Sequence, residues 1–89
     1  MEISPLVNER EIELLKQIKR GVMIFEPPLR TSAELTRFQE TARLLLGLEE
    51  KGLVYKCFVT EFEIAGAKYY DSINIPRGLT PEGEEELKG

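Results

Sequence analysis

Leu48-Glu49-Glu50-Lys51-Gly52-Leu53-Val54-Tyr55 carries a leucine-rich helix into a glycine and out again as a strand. Gly52 fits the left-handed position that ends a helix. The residues from Val54 to Ile64 are rich in Val, Phe, Tyr and Thr, which suit a pleated strand. Ala65-Gly66-Ala67 supplies a turn, Lys68 to Ile75 returns as the partner strand, and Pro76 closes it. Leu79-Thr80-Pro81-Glu82-Gly83 then opens another helix, with Thr80 as cap and Pro81 at the first helical position. Gly83 is expected to fray that short helix.

Upstream, Ser4-Pro5 reads as the start of a first helix, a serine cap followed by proline. Ile12, Leu15 and Ile18 recur at helical spacing with Leu14 beside them, and Lys16, Lys19 and Arg20 complement the dipole at its end. Gly21 is a plausible stop. Two readings of residues 21–26 remain, a helix extension to Glu26 or a short strand from Val22 to Phe25, and the strand is preferred. Pro27-Pro28 ends either one. Arg30 to Leu35 reads as a short helix capped by Thr31 or Ser32, with Thr36-Arg37 as a turn. A longer helix follows from Phe38 to Lys51. Its wheel puts Phe38, Thr41, Ala42, Leu45 and Leu48 on one side, Leu44 and Leu46 at the margins, and Gln39, Glu40, Arg43, Gly47, Glu50 and Lys51 opposite.

The chain's 89 residues make a single domain, 1–89, with ordinary apolar (42%) and charged (31%) fractions. No apolar stretch is long enough to cross a bilayer and no signal-peptide core is evident, so the expected location is cytoplasmic. With no histidine the usual near-neutral general base is missing, and the serines have no evident base to activate them. With one cysteine, Cys57, neither a zinc ribbon nor an internal disulfide can form. Phosphate-binding glycine loops and an EF-hand are absent. No enzyme, metal or cofactor is expected. The net charge of −4 is unevenly spread: residues 1–60 hold nine acidic and nine basic side chains, so the deficit lies in the last third.

The order helix, possible strand, helix, helix, hairpin, helix, with L-E-E-K-G-L-V-Y closing one helix and L-T-P-E-G opening the last, resembles winged helix-turn-helix transcription regulators of the bacterial and archaeal type. The resemblance covers most of the chain. It implies an α+β winged helix-turn-helix fold with a three-helix core, a β-hairpin wing and a short C-terminal helix. It also implies a transcription regulator that binds double-stranded DNA, inserts its third helix in the major groove, and commonly forms a homodimer. One departure stands out: only twelve residues separate Leu35 from Leu48, so the second helix is truncated or merged with the third.

Under that resemblance, Arg43 would reach a guanine edge and Gln39 an adenine, each by bidentate hydrogen bonds. Thr36 and Arg37, at the expected helix start, would contact phosphate, and Lys68 and Arg77 would support from the wing. A solvated helix face is the plainer reading, because Glu40, Arg43, Glu50 and Lys51 cancel and a neutral face neutralises few phosphates. Leu14, Leu44 and Leu46 widen the apolar arcs of their helices beyond what a small core needs, which points to a dimer or partner interface. Tyr69 and Tyr70 alternate across their strand, one core-facing and one free to pack or stack. The alternative function is therefore a winged-helix protein–protein interaction module without DNA binding.

Overall fold

The computed structural model describes residues 7–88. In chain order these are helix α1 (Glu9–Lys19), strand β1 (Ile24–Phe25), helix α2 (Ser32–Glu50), strands β2 (Phe58–Ile64) and β3 (Ala67–Asn74), and helix α3 (Pro81–Lys88). The architecture is α+β: three helices and one antiparallel sheet of order β1-β3-β2 among the described residues. None of these helices is long and apolar enough to span a membrane.

α1 begins where Asn8 and Glu11 satisfy each other. The Asn8 side chain accepts from the Glu11 amide at 2.9 Å, and the Glu11 carboxylate accepts from the Asn8 amide at 3.0 Å. The Ser4-Pro5 start expected from the sequence lies outside the described residues. At the other end Gly21, at φ 107°, turns the chain out of the helix. Of the two readings of residues 21–26 the strand is the one found, though it spans only Ile24 and Phe25.

Of the two readings of the second helix, truncated or merged with the third, the merged one is found. The short helix, the turn at Thr36-Arg37 and the longer helix are one continuous helix, capped by Thr31, whose Oγ1 accepts from the Glu34 amide. The physical reason is an unbroken apolar stripe. Leu35, Phe38, Ala42, Leu45 and Leu48 are all buried and follow at steps of three and four, straight through the supposed turn. Neither Thr36 nor Arg37 is a helix breaker, so nothing interrupts the backbone ladder.

The hairpin turns at Ala65-Gly66, both with positive φ (50° and 83°), which matches the right-handed twist of the strands it joins. β3 carries one extra residue. Thr60 pairs with Ser72 and Glu61 with Tyr70, leaving Asp71 bulged. The Asp71 carboxylate accepts from Arg30 Nε at 2.5 Å, tying the bulge to the loop before α2.

The two stretches that decided the sequence reading meet as one joint. Thr80 donates its hydroxyl to the Gly52 carbonyl (2.6 Å) and its amide to the Leu53 carbonyl (3.1 Å). The same hydroxyl accepts from the Gly83 amide at 3.0 Å and so caps α3. Val54 bridges Leu79, and the Tyr55 amide donates to the Gly78 carbonyl. Gly83 does not fray α3. It is buried, and a Cβ there would stand 2.0 Å from the Leu53 carbonyl oxygen, so its missing side chain is what lets α3 dock.

The core gathers Leu14, Leu15 and Ile18 of α1, the α2 stripe, Phe25, Leu53, Val54, Cys57, Ile73 and Ile75. Two charged contacts reinforce it. Lys51, past the end of α2, reaches the buried Glu11 carboxylate at 2.6 Å, and Lys19 of α1 reaches Glu84 of α3 at 2.8 Å.

Candidate functional site

The residues expected to read DNA are dispersed and partly engaged. Thr36 and Arg37 lie within α2, not at a helix start, which is at Thr31 and Ser32 instead. The Arg37 guanidinium donates to Glu34 at 2.8 Å. Gln39 is turned inward, against the expectation from the wheel. Its amide nitrogen donates to the Leu35 and Tyr70 carbonyls (2.8 and 2.9 Å), and its amide oxygen accepts from the Tyr70 amide at 2.8 Å.

The reason is the shortness of β1, which pairs with β3 only at Ile73 and Asn74. Farther along β3 the backbone groups on that edge lack a strand, and the Gln39 carboxamide replaces one at Tyr70. With both N–H donors of the carboxamide spent in this way, Gln39 cannot make the bidentate pair that an adenine edge requires. Arg43 stays exposed and makes no ion pair among the described residues, while neighbouring Glu40 is paired with Arg10.

On the hairpin, Lys68 sits near the tip opposite Glu63, whereas Arg77 lies beyond the far end of β3 with its guanidinium 4.7 Å over the Tyr55 ring. The length of β3 separates them, about 20 Å at a strand's rise per residue. They do not form one cationic surface.

The apolar interface residues also look inward. Leu14 is 8% exposed and belongs to the core of its own chain; Leu44 and Leu46 are half-buried and pack against that core. The leucine surplus on α2 is thus taken up by intramolecular packing. Burial, with a smaller push from the Glu49 carboxylate, raises the Cys57 thiol to about 12, so it stays protonated and inert near neutral pH.

A surface that the sequence reading did not single out is the outer face of the sheet. The register sets Phe25, Val59, Ile73 and Tyr70 on the side of the helices. The opposite side carries four rows. Ile24, Asn74 and Phe58 form the first, Ser72 and Thr60 the second, Tyr69 and Phe62 the third, and Ala67 and Ile64 the fourth. Ile24 and Phe58 are each 53% exposed and Phe62 is 39% exposed. None of these nine residues is charged, although charged residues make up 31% of the chain. Toward the hairpin tip the charges fall on the inner side instead, as Glu61, Glu63 and Lys68.

The Thr60 and Ser72 hydroxyls share one hydrogen bond at 2.7 Å at the centre of the face. The signal was present in the sequence as a period of two. Positions 58, 60, 62 and 64 are uncharged while 61 and 63 are glutamates. It was masked because an alternating strand is ordinarily read with its apolar side inward.

A shallow open groove of about 430 Å³ runs between Gln17 of α1, Val22, Pro27 and Phe38, with the Glu34–Arg37 pair at its rim. It brings together no nucleophile and base, and no group of residues suited to hold a metal occurs among the described residues. In comparisons with known proteins, no family model, no curated protein and no solved structure matches this chain.

Proposed function

We propose that this chain is a protein-interaction module of winged-helix type that engages its partner through the outer face of the sheet. The element order resembles a winged helix in which the second and third helices have fused into α2 and the β2–β3 hairpin serves as the wing. The observation that carries the reading is the uncharged outer face, with Ile24, Phe58 and Phe62 open to solvent. Exposed aromatic and aliphatic side chains clustered without charge match the desolvated centre of a protein interface.

Duplex DNA reading has less support. Of the six residues assigned to it, only Arg43 and Lys68 are exposed cations with neither an ion pair nor a stacking partner among the described residues. Two phosphate contacts give a salt slope of only about −2 and correspondingly weak binding.

Carbene photolabelling tests the interaction reading. The outer face should label strongly in the dilute purified chain and be protected in the native extract, or at high concentration of the chain alone. Equal labelling of the face under all three conditions would sink it. A titration with mixed-sequence duplex tests the alternative: tight binding that weakens steeply with salt and is lost in Arg43→Ala would favour DNA instead.

A further inference from the structure

Resting on that reading, we propose that the partner presents an extended peptide segment that adds to the open edge of β2 as a further strand. Its basic residues stand opposite Glu61 and Glu63, and its uncharged ones opposite Thr60 and Phe62. The two edges of the sheet differ. On one, β1 covers β3 at Ile73 and Asn74, and Gln39 takes the backbone of Tyr70 farther along. β2 forms the other edge, seven residues long, with β3 as its one neighbouring strand. Every residue from Phe58 to Glu63 is exposed.

The hydrogen-bond pattern fixes which backbone groups lie open. Along an antiparallel pair, residues alternately bond across with both N–H and C=O or turn both away. Gln39 holds both groups of Tyr70 from the far side, so Tyr70 has neither to give Glu61, its register partner. Glu61 and, two residues on, Glu63 therefore turn their N–H and C=O to the open edge. Beyond the bulge the same parity returns. The Ile75 amide bonds Met23, so Ile73 also faces β1, and its partner Val59 faces the open edge. Among the described residues no backbone group elsewhere in the chain bonds Val59, Glu61 or Glu63 at that edge.

Open edges are commonly blunted by proline, lysine, a bulge or a charge. β2 reads Phe-Val-Thr-Glu-Phe-Glu-Ile, without proline or lysine, and the bulged residue Asp71 belongs to β3. Its guard is the pair Glu61 and Glu63, both exposed on the inner side. Neither is in an ion pair among the described residues, although Lys68 faces Glu63 across the hairpin.

Such a guard is selective. A residue bonded to Glu61 or Glu63 in an added strand brings its own side chain directly opposite the carboxylate, where a cation is favourable and an anion is not. β2 of a second copy would set carboxylates against carboxylates, so the edge calls for a basic segment and not for itself. The alternate residues of that segment stand beside Thr60 and Phe62 and widen the uncharged outer face by one strand. In this mode main-chain bonds supply affinity and the alternating side chains specificity.

The probe is a capped peptide containing Lys-Val-Lys-Val-Val, which runs antiparallel from Glu63 to Val59. It is titrated into the isotope-labelled chain to about 5 mM, several times the dissociation constant of a millimolar contact. Amide exchange should slow severalfold at Val59, Glu61 and Glu63 and stay unchanged at Phe58, Thr60 and Phe62, which already bond β3. An Hα–Hα NOE should join Phe62 to the valine between the two lysines. N-methylation of the second lysine, whose amide bonds β2, should weaken binding by about tenfold. The same change at the next valine, whose amide points away, should have little effect. Glu61→Lys combined with Glu63→Lys, at exposed positions, should reverse the preference toward a Glu-Val-Glu-Val-Val peptide.

Unchanged exchange at the three amides at the highest peptide concentration would overturn the proposal. So would binding indifferent to which residue is N-methylated, or a preference for lysine that persists in the doubly substituted chain. If the peptide fails while the outer face is protected in extract, strand addition fails and the interaction reading stands. If protection is absent as well, both fail.

Discussion

Gly83→Ala puts the joint between the two diagnostic stretches to a test in which even the sign is informative. In a helix interior alanine outranks glycine by about 1 kcal/mol, so on propensity alone this substitution in α3 should stabilise the protein. The packing says the opposite. The new methyl would stand 2.0 Å from the Leu53 carbonyl oxygen and 3.0 Å from its carbonyl carbon, and both are backbone atoms held in place. The Leu53 oxygen also accepts the Thr80 amide, so it cannot swing aside without losing that bond.

Relief requires α3 to move outward by more than an ångström. That movement strains the Thr80 hydrogen bonds and the Lys19–Glu84 contact. Overpacking typically costs about 1–3 kcal/mol. Set against the propensity gain, the net expectation is a loss of about 1–2 kcal/mol, with an upper limit at the cost of undocking α3. For a domain of this size that lowers Tm by about 5–15 °C. Urea unfolding followed by far-UV circular dichroism, alongside a thermal scan, measures it. A variant as stable as the parent, or more so, would refute the close approach of α3 to Leu53.

Three further outcomes follow from particular contacts. Ala65 holds φ 50° in the hairpin turn, a conformation that costs a β-carbon-bearing residue about 1 kcal/mol and that asparagine tolerates better, so Ala65→Asn should raise Tm by a few degrees. Gln39→Ala leaves the Tyr70 amide and carbonyl without their partner and should cost about 1–3 kcal/mol by urea unfolding; a neutral result would mean that water replaces the carboxamide without loss. Because the Cys57 thiol is raised to about 12 in the fold, its contribution is complete below the free-thiol value of 9.0. It then falls as the unfolded state ionises, by about 1.4 kcal/mol per pH unit between those limits. The stability gap between the parent chain and Cys57→Ala should therefore shrink from pH 8 to pH 11, and a pH-independent gap would contradict the buried, protonated thiol.

What could be read in the sequence was whatever is encoded locally. Gly52, Thr80 and Pro81 marked true helix ends, and the Ala65-Gly66 turn set the hairpin, because capping and turn chemistry act within a few residues. The Val, Phe, Tyr and Thr content of Val54 to Ile64 identified a strand in the same way, though β2 begins only at Phe58. The break placed between Leu35 and Phe38 had no such local cause, since the residues themselves continued the stripe from Leu35 to Phe38.

Gln39 could not be placed from a helix wheel, because its role follows from the shortness of β1, a tertiary fact. Gly83 looked like a weak point in a helix, since close approach to Leu53 is visible only once both segments are placed. The outer sheet face was written plainly in the alternation of positions 58 to 64, but the strand was read from its composition and its two sides were not told apart. Which side of a strand meets the helices depends on their packing, not on its own composition.

The central claim is that the outer face of the sheet is where this protein meets its partner. Residue-resolved carbene labelling tests it most directly, with Leu29, 63% exposed and outside the sheet, as the internal reference. The account predicts that labelling of Phe58 and Phe62 relative to Leu29 falls severalfold between the dilute purified chain and either the native extract or the concentrated chain. An unchanged ratio across all three would contradict it.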